Sequence, residues 1–359
     1  MGTGPEVMRA VVCHGPLDYR VEEVPVPRPG PGELLLRVDA AGICASDIKC
    51  FVGSEMFWKP NGAVRPPVVP GHEFAGVVVA TGEGAQELHG ANIGDRVVAE
   101  QILPCRQCRY CRRGQYWMCE PHVVFGFMGW QANGGMAEYM LLPAFSLVHI
   151  VPPSITSREA AYIEPLSCAL HAVDRGDISP GDCVVVVVAG AGNIGLCMVQ
   201  AARLYNPGQV VAVDTRQYRL DLALALGADI ALNPEEEDVV ARVRSLTEGY
   251  GCDVCIEATG APRGPQQGLD MVRRLGTLVA FSVMGEPVSI DWNLIGDQRE
   301  LNVHGSHLGP YCYPRAISLV AEKKVVVGPL ITAEFGLEDF ADAMDAARSG
   351  DNLKTLLVP

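Results

Sequence analysis

The chain has 359 residues, enough for two domains, and 48% of them are hydrophobic and 19% charged, as in folded globular proteins. Its net charge of −14 and its isoelectric point near 5.0 argue against nucleic acid or an anionic membrane as the main partner. Thirteen cysteines, an odd number with several in apolar runs, indicate reduced thiols and a cytoplasmic protein. The first residues, MGTGPEVMRAVV, lack the features of a secretory signal, so none is expected.

The first part of the chain has the pattern of an irregular, mostly-β domain. Short apolar runs at residues 10–13, 34–38, 76–80 and 96–99 are separated by turn-forming stretches such as PRPGPGE and PNGAVRPP. Short runs bounded by Gly and Pro are typical of strands in all-β domains. We therefore predict a mostly-β domain before residue 165.

One candidate metal site in this domain combines different ligand types. Cys44 lies in GICASD, His72 in GHE and Glu164 in IEPLSCALHA. A cysteine, a histidine and a carboxylate can supply three ligands to zinc and leave a fourth position for water or substrate. Each residue alone also fits an ordinary role, as a core cysteine, a surface histidine or an acid at a helix N-terminus. Their occurrence beside the motifs described next favours a catalytic metal site.

A second candidate metal site consists of four closely spaced cysteines, Cys105, Cys108, Cys111 and Cys119, in PCRQCRYCRRGQYWMC. Four thiolates can surround one tetrahedral Zn²⁺ and leave no open position, which is a structural site. Disulfides are a weaker alternative. An iron–sulfur cluster is another, but its bacterial motif normally ends in Cys-Pro, and here Glu120 follows the last cysteine.

From about residue 165, predicted strands alternate with predicted helices. The strands are expected at residues 183–189, 210–214, 253–257, 277–282 and 301–305, and the helices at residues 194–205, 216–226, 237–247 and 263–273. Such alternation predicts βαβ units and a doubly wound parallel sheet. Further helices are expected at residues 314–322 and 337–349. The apolar stretch at residues 183–202 is long enough to span a bilayer, but a β-branched run followed by glycines favours a buried strand that turns into a helix.

A glycine motif lies where the first of these strands meets its helix. Gly190, Gly192 and Gly195 form G-x-G-x-x-G, and Asn193 and Ile194 stand between the last two glycines. In this position the glycines permit a tight turn and a close approach to a dinucleotide pyrophosphate, which faces the helix N-terminus. A purely structural turn is the alternative.

The identity of the dinucleotide depends on Asp214, which ends the next predicted strand. A carboxylate at this distance from the glycines can accept hydrogen bonds from the ribose hydroxyls and would repel a 2′-phosphate. Arg216 and Arg219 follow Asp214 and could bind a 2′-phosphate, so NADP is the alternative cofactor. We therefore predict NAD as the cofactor.

These motifs together resemble the zinc-dependent medium-chain alcohol and polyol dehydrogenases, from residue 9 to residue 359. The segment GHEFAGVVVATG, the four-cysteine segment and the glycine motif match that family in order and spacing. The resemblance implies a GroES-like catalytic domain formed by residues 1–164 and 306–359, with a structural zinc lobe near residues 100–120. It implies a Rossmann domain at residues 165–305, two zinc ions per chain, and a homodimer or homotetramer.

The resemblance also assigns roles to residues of the catalytic site. The implied catalytic zinc ligands are Cys44, His72 and Glu164. Glu73 falls on a neighbouring glutamate that can bind the metal in exchange. Asp47 matches an acid that orients the zinc histidine, and Ser46 matches a hydroxyl that takes the substrate proton.

The substrate class is suggested by Glu164, which looks like the polyol branch of the family, with sorbitol, xylitol, threitol and erythritol dehydrogenases. Two departures limit the match: Lys49 stands where many relatives carry a relay histidine, and residues 305–314 lack the Arg-Tyr pair of sorbitol dehydrogenases. The bulky insertion at residues 55–59 would narrow the pocket. A short polyol of the erythritol or threitol type is therefore expected.

The predicted substrate pocket consists of Phe51, Phe57, Trp58, Trp130 and His307. Ordinary core packing is the alternative for each aromatic residue. Alternatives for the whole chain are a sorbitol, xylitol, L-threonine or simple-alcohol dehydrogenase, or a zinc-free reductase of the same fold. A nucleic-acid-binding zinc module is disfavoured by the acidic charge, and a non-enzymatic zinc-binding structural protein stays open.

Overall fold

The computed structural model describes residues 5–58, 64–127, 132–187 and 192–359, with the side chains of residues 184–187 excepted. In chain order the strands are β1 Val7–Gly15, β2 Asp18–Pro25, β3 Leu34–Gly42, β4 Glu73–Thr81, β5 Arg96–Ala99, β6 Ile102–Leu103, β7 Val123–Val124, β8 Tyr139–Leu142, β9 Val148–Ile150, β10 Cys183–Val187, β11 Gln209–Val213, β12 Ile230–Leu232, β13 Cys252–Glu257, β14 Val272–Ala280, β15 Asn302–Gly305, β16 Ile331–Phe335 and β17 Lys354–Leu357.

The α-helices are α1 Ala45–Phe51, α2 Glu55–Trp58, α3 Ala85–His89, α4 Ser157–Ala161, α5 Ile163–Asp174, α6 Asn193–Arg203, α7 Gln217–Ala225, α8 Val239–Leu246, α9 Gly264–Met271, α10 Tyr313–Ala321 and α11 Phe340–Ser349. None of the described helices is both long and apolar enough to cross a membrane. The chain divides into two compact units, the first made of Met1–Pro165 and Tyr313–Pro359, and the second of Leu166–Cys312.

The first unit is organised around a mostly antiparallel sheet in the order β16-β17-β3-β4-β5-β9, with β8 also paired to β3. In this sheet Gly42, at the end of β3, lies opposite Glu73, at the start of β4. Leu356 of β17 pairs with Gly42 from the other side. The ends of three strands therefore meet at one place, and the segment that follows β3 carries Cys44.

The core of the first unit follows from the apolar residues of these strands and of α11. Its fully buried members include Leu34, Leu36, Val78, Val97, Phe125, Met136, Met140, Leu142 and Leu357. Because β3 is central, both of its faces are covered, and its sequence LLLRVDAAG is apolar almost throughout.

The second unit contains a parallel sheet in the order β12-β11-β10-β13-β14-β15. The first strand, β10, lies in the middle, and the chain proceeds to one side and then to the other, which is the doubly wound arrangement. Val187 of β10 pairs with Val213 of β11, so the residues that follow these two strands lie at the same edge of the sheet. The predicted combination of a Rossmann domain and a mostly-β domain is confirmed.

Candidate active site and metal centres

The four-cysteine segment folds into a loop between β6 and β7. One ligand atom from each of Cys105, Cys108, Cys111 and Cys119 lies within 4.8 Å of the others. Short 3-10 helices at Cys111–Arg113 and Tyr116–Met118 turn the chain between the third and fourth thiols. All four cysteines are free of disulfides. The spacing thus brings four thiol groups together around one position that a single metal ion can occupy.

Backbone N–H groups hold the pKa of two of these thiols, Cys105 and Cys108, below its ordinary value. Cys108 N donates to Cys105 Sγ at 3.3 Å, and Cys111 N donates to Cys108 Sγ at 3.4 Å. Donors from Cys111 and Glu120 lower the pKa of Cys108 to about 6, whereas burial raises the pKa of Cys119. The thiolate is the species that binds zinc, so this donor set fits a closed tetrahedral zinc site.

The second group of metal-binding side chains begins at the N-terminus of α1. Cys44 is the N-cap residue, and its backbone N–H donates to the Asp47 carboxylate at 2.9 Å. The other oxygen of Asp47 lies 3.8 Å from Nδ1 of His72, and both side chains are buried. Burial alone would lower the pKa of His72, but the charges of Asp47 and Cys44 raise it well above its usual value. Burial raises the pKa of Asp47, partly offset by His72.

Glu73 enters this site because Gly42, opposite it, has no side chain. A Cβ at Gly42 would lie 2.1 Å from Glu73 Oε2. The same oxygen accepts a hydrogen bond of 2.5 Å from Lys354 Nζ, which also donates to the carbonyl of Ile43 at 3.2 Å. Lys354 is only 3% exposed. Burial lowers the pKa of Lys354, but Glu73 and Cys44 outweigh it, so the net pKa is raised.

The geometry groups Cys44, His72 and Glu73, whose ligand atoms lie within 4.8 Å of one another. Among the described residues Glu164 is not part of this group, although it is close enough for its charge to raise the pKa of His72. Its Oε1 accepts a hydrogen bond from Gln101 Nε2. Three of the four residues predicted for the catalytic metal, Cys44, His72 and Glu73, therefore lie together, and the assignment of Glu164 as a ligand stays a prediction.

The residues at this site fit a zinc ion. Two buried atoms, Glu73 Oε1 and His72 Nδ1, have no hydrogen-bond partner in the described part of the chain. Glu73 is only 1% exposed. Burying a carboxylate oxygen without a partner costs free energy unless a cation or a hydrogen-bond donor satisfies it. A thiol, an imidazole and a carboxylate are also the ligand types of catalytic zinc sites.

The predicted pocket residues occupy different surroundings. Phe57 stacks on Phe127 at a ring distance of 5.6 Å, and Phe127 lies 5.5 Å from the His72 ring. Phe51 instead packs against Tyr19 and Phe340, as the core-packing alternative expects.

The remaining predicted residues lie on several elements. Trp58 donates through Nε1 to the carbonyl of Cys50 at 2.8 Å. Ser46 and Lys49 are half-buried on α1, and burial lowers the pKa of Lys49. His307 follows β15 and belongs to the second unit. Trp130 lies outside the described residues.

The glycine motif is placed between β10 and α6. Gly192 is the N-cap residue of α6 and has a φ of 55°, while Asn193 and Ile194 begin the helix. Gly195 is buried in the first turn of the helix. Gly190 lies outside the described residues. A helix N-terminus at the carboxyl end of the central strand is the expected position for a dinucleotide phosphate.

Asp214 follows β11 and is buried. Its Oδ1 accepts the backbone N–H of Arg216 at 2.8 Å, and its Oδ2 lies 3.7 Å from Arg219 Nη1. The Arg219 Nε donates to the hydroxyl of Tyr218 at 2.9 Å. Burial raises the pKa of Asp214, against the Arg216 N–H and the Arg219 charge. Asp214 and Gly192 thus follow adjacent strands at one edge of the sheet.

Known proteins with this fold and these motifs identify the class of the chain. The model of the alcohol dehydrogenase GroES-like domain matches residues 30–153, and that of the zinc-binding dehydrogenases matches residues 193–322. The chain is 47% identical to an erythritol/L-threitol dehydrogenase of Mycolicibacterium smegmatis, covering 99% of this chain and 98% of the relative. It is 35% identical to a sorbitol dehydrogenase of Halalkalibacterium halodurans, covering 98% and 99%.

A solved structure gives the same result. A candidate zinc-binding dehydrogenase of Sinorhizobium meliloti 1021, bound to NADP, has a TM-score of 0.90 and 31% identity, covering 99% of this chain and 100% of that one. The chain belongs to the zinc-dependent medium-chain dehydrogenase family. It is an oxidoreductase, and the resemblance inferred from the sequence is confirmed.

Proposed function

We propose that this dehydrogenase oxidises a secondary hydroxyl of a short vicinal polyol, of the erythritol or threitol type, to the ketose, with NAD as the hydride acceptor. The observation that carries the proposal is a second carboxylate, Glu164, beside the group of Cys44, His72 and Glu73. A buried carboxylate next to the reacting hydroxyl suits a substrate with a second hydroxyl to donate. The likeness to erythritol/L-threitol dehydrogenase supports this substrate class.

The residues of the metal site would divide the chemistry as follows. Zinc bound by Cys44, His72 and Glu73 would supply a Lewis acid that lowers the pKa of the substrate hydroxyl. Asp47 orients His72, and Ser46 accepts the proton that the hydroxyl releases. Glu164, predicted from the sequence as a ligand, accepts a hydrogen bond from the adjacent hydroxyl in this proposal.

The cofactor-binding residues of the second unit support NAD. The N-terminus of α6, from Gly192 to Gly195, would face the pyrophosphate, and Asp214 would accept hydrogen bonds from the ribose hydroxyls. The nicotinamide would supply the hydride acceptor. Arg219 lies 3.7 Å from Asp214 and favours the charged form of its carboxylate, and Arg219 is itself a candidate cofactor-binding residue.

The structural site would take a second zinc ion. Cys105, Cys108, Cys111 and Cys119 form a closed set of four thiols, so this ion would have no open position for substrate. Its role in the proposal is to stabilise the loop between β6 and β7.

We also infer a homodimer or homotetramer in the cytoplasm. In the described sheet of the second unit, β15 lies at an edge, and Val303 on it is 41% exposed. Trp292 is 73% exposed and Val283 is 50% exposed in the same unit. An open edge with exposed apolar residues is suited to pairing with a second copy. The reduced thiols agree with a cytoplasmic location.

The experiment that tests the substrate class is a screen of NAD reduction over polyols, amino alcohols and simple alcohols. A site that satisfies its polar groups with substrate hydroxyls can reject analogues without them by ~10⁴-fold. We expect kcat/KM for erythritol or threitol to exceed that for 2-butanol by a factor approaching this value. Higher kcat/KM for 1-butanol, benzyl alcohol, sorbitol or L-threonine would replace the proposal with the corresponding alternative.

A further inference from the structure

Gln101, a residue with no role in the function described above, contacts the carboxylate proposed to recognise substrate. Its side chain is 2% exposed and lies between β5 and β6. Its Nε2 donates to Glu164 Oε1, and its Oε1 accepts a hydrogen bond of 3.1 Å from the hydroxyl of Tyr313. Because an amide donates only through nitrogen and accepts only through oxygen, the Tyr313 hydroxyl keeps the NH₂ group turned towards Glu164.

Tyr313 is itself fixed in position by a buried network. Its fully buried ring stacks on His149 at 5.3 Å with an interplanar angle of 23°. His149 Nε2 lies 3.2 Å from Glu100 Oε1, and the other oxygen of Glu100 accepts from the Tyr116 hydroxyl at 2.7 Å. Tyr116 stands between the third and fourth cysteines of the structural site. The network therefore extends from the four-cysteine loop to Glu164.

The two carboxylates of the active site have different partners. Glu73 is paired with the buried cation of Lys354, whereas Glu164 receives the neutral amide of Gln101. The amide donor fixes the direction of the Glu164 carboxylate, whose charge also acts on His72 and Lys354. We propose that Gln101, oriented by Tyr313, is a positioning residue that holds Glu164 out of the metal's ligand group and available to a substrate hydroxyl. This inference rests on the proposed function.

The test uses Gln101→Met, which keeps the length of the side chain and removes the donor. Tyr313→Phe keeps the stacking on His149 and removes only the hydroxyl. The control is Gln86→Met, at an exposed glutamine whose Nε2 contacts Asn92 at 3.4 Å. Each purified variant is measured for thermal unfolding, zinc content, the visible absorption of its Co²⁺-substituted form, and kcat/KM for erythritol and 2-butanol.

Losing a partner of a metal-site group typically lowers affinity or activity by about 10- to 100-fold. We expect Gln101→Met to lower kcat/KM for erythritol by this factor, to change that for 2-butanol by less than about 3-fold, and to alter the Co²⁺ absorption. Tyr313→Phe should change kcat/KM for erythritol and the Co²⁺ absorption in the same direction but by less. If Gln101→Met does not fold, Tyr313→Phe tests the positioning role in its place. Equal losses on both substrates with an unchanged Co²⁺ spectrum would overturn the proposal, as would equal effects of Gln86→Met.

Failure of the proposed function gives a different result. In that case the unmodified enzyme itself prefers 2-butanol or another alternative substrate. The Co²⁺ spectrum then decides the role of Gln101 alone, since it depends on the ligand arrangement and needs no substrate. An altered spectrum in Gln101→Met supports the positioning role, and an unaltered one refutes it.

Discussion

Lys354 and Glu73 form a buried ion pair of 2.5 Å that joins β17 to the start of β4, across 281 residues of sequence. The side chains are 2% and 1% exposed. In such surroundings neither charge can be satisfied by bulk water, so each depends on the other and on the groups nearby. The pair engages Oε2 of Glu73, whereas Oε1 has no hydrogen-bond partner among the residues that the structure describes.

Replacing Lys354 by Met should therefore destabilise the protein strongly. Removing one partner of a buried pair typically costs about 3–5 kcal/mol, because the other charge stays buried without compensation. The free energy of unfolding in urea measures this loss. Lys324→Met is the control, since Lys324 pairs with Glu322 at 2.7 Å on the surface and should contribute under ~1 kcal/mol. Similar losses in the two variants would contradict the assignment of Lys354.

Gly42→Ala should disturb the metal site directly. The added Cβ would lie 2.1 Å from Glu73 Oε2, so the Glu73 carboxylate must shift from its place in the group with Cys44 and His72. We expect loss of catalytic zinc and of activity, with destabilisation of about 1–3 kcal/mol from overpacking. Gly15→Ala, where a Cβ has no neighbour within 4 Å, is the matched control. Unchanged zinc content in Gly42→Ala would show that Glu73 does not bind the metal.

The two metal sites should be separable by mutation. Purified enzyme should contain two zinc equivalents, because one ligand group is closed and the other is open. Cys44→Ala should lose one equivalent and nearly all activity, with a small change in stability. Cys111→Ala should lose the other equivalent and lower the unfolding temperature or the yield of assembled protein. Metal analysis by mass spectrometry gives the counts, and a single equivalent in the unmodified protein would refute the two-site assignment.

Asp214 should determine the choice of dinucleotide. Asp214→Gly removes the carboxylate and frees Arg219 from the contact of 3.7 Å, so a 2′-phosphate meets a cation instead of an anion. We expect the ratio of kcat/KM for NAD to that for NADP to fall by at least about 10-fold. The control is Asp221→Gly, at an exposed position on α7, the helix that follows Asp214. Faster reduction of NADP than of NAD by the unmodified enzyme would show that Asp214 has been misassigned.

The sequence was most informative where function depends on short spacing. The intervals between Cys105 and Cys119 predicted the four-thiol loop, and the glycine motif predicted the strand-to-helix turn before α6. The pattern of apolar residues and the turn-forming Gly and Pro residues also predicted a mostly-β domain and a domain of alternating strands and helices. The three-residue strand β12 was missed because so short an apolar run has no distinct pattern.

Partners that act across long separations could not be found in this way. Gln101 and Tyr313 are 212 residues apart, and each has an ordinary local sequence. Lys354 carried a weak signal, a lysine within the apolar segment LKTLLVP, which is unusual unless the charge is paired. The position of Glu73 opposite Gly42 depends on the register of β3 and β4, which motif spacing does not determine.

The pairing of β17 with β3 has a consequence for the order in which the two units can fold during synthesis. Residues Leu166–Cys312 form one unbroken segment, so the parallel sheet can assemble on a ribosome while residues 313–359 are still being synthesised. The first unit cannot place Lys354 beside Glu73 until β17 has emerged. Until then Glu73 lacks the cation of Lys354, so the group of Cys44, His72 and Glu73 reaches its final arrangement only after β17 has been synthesised.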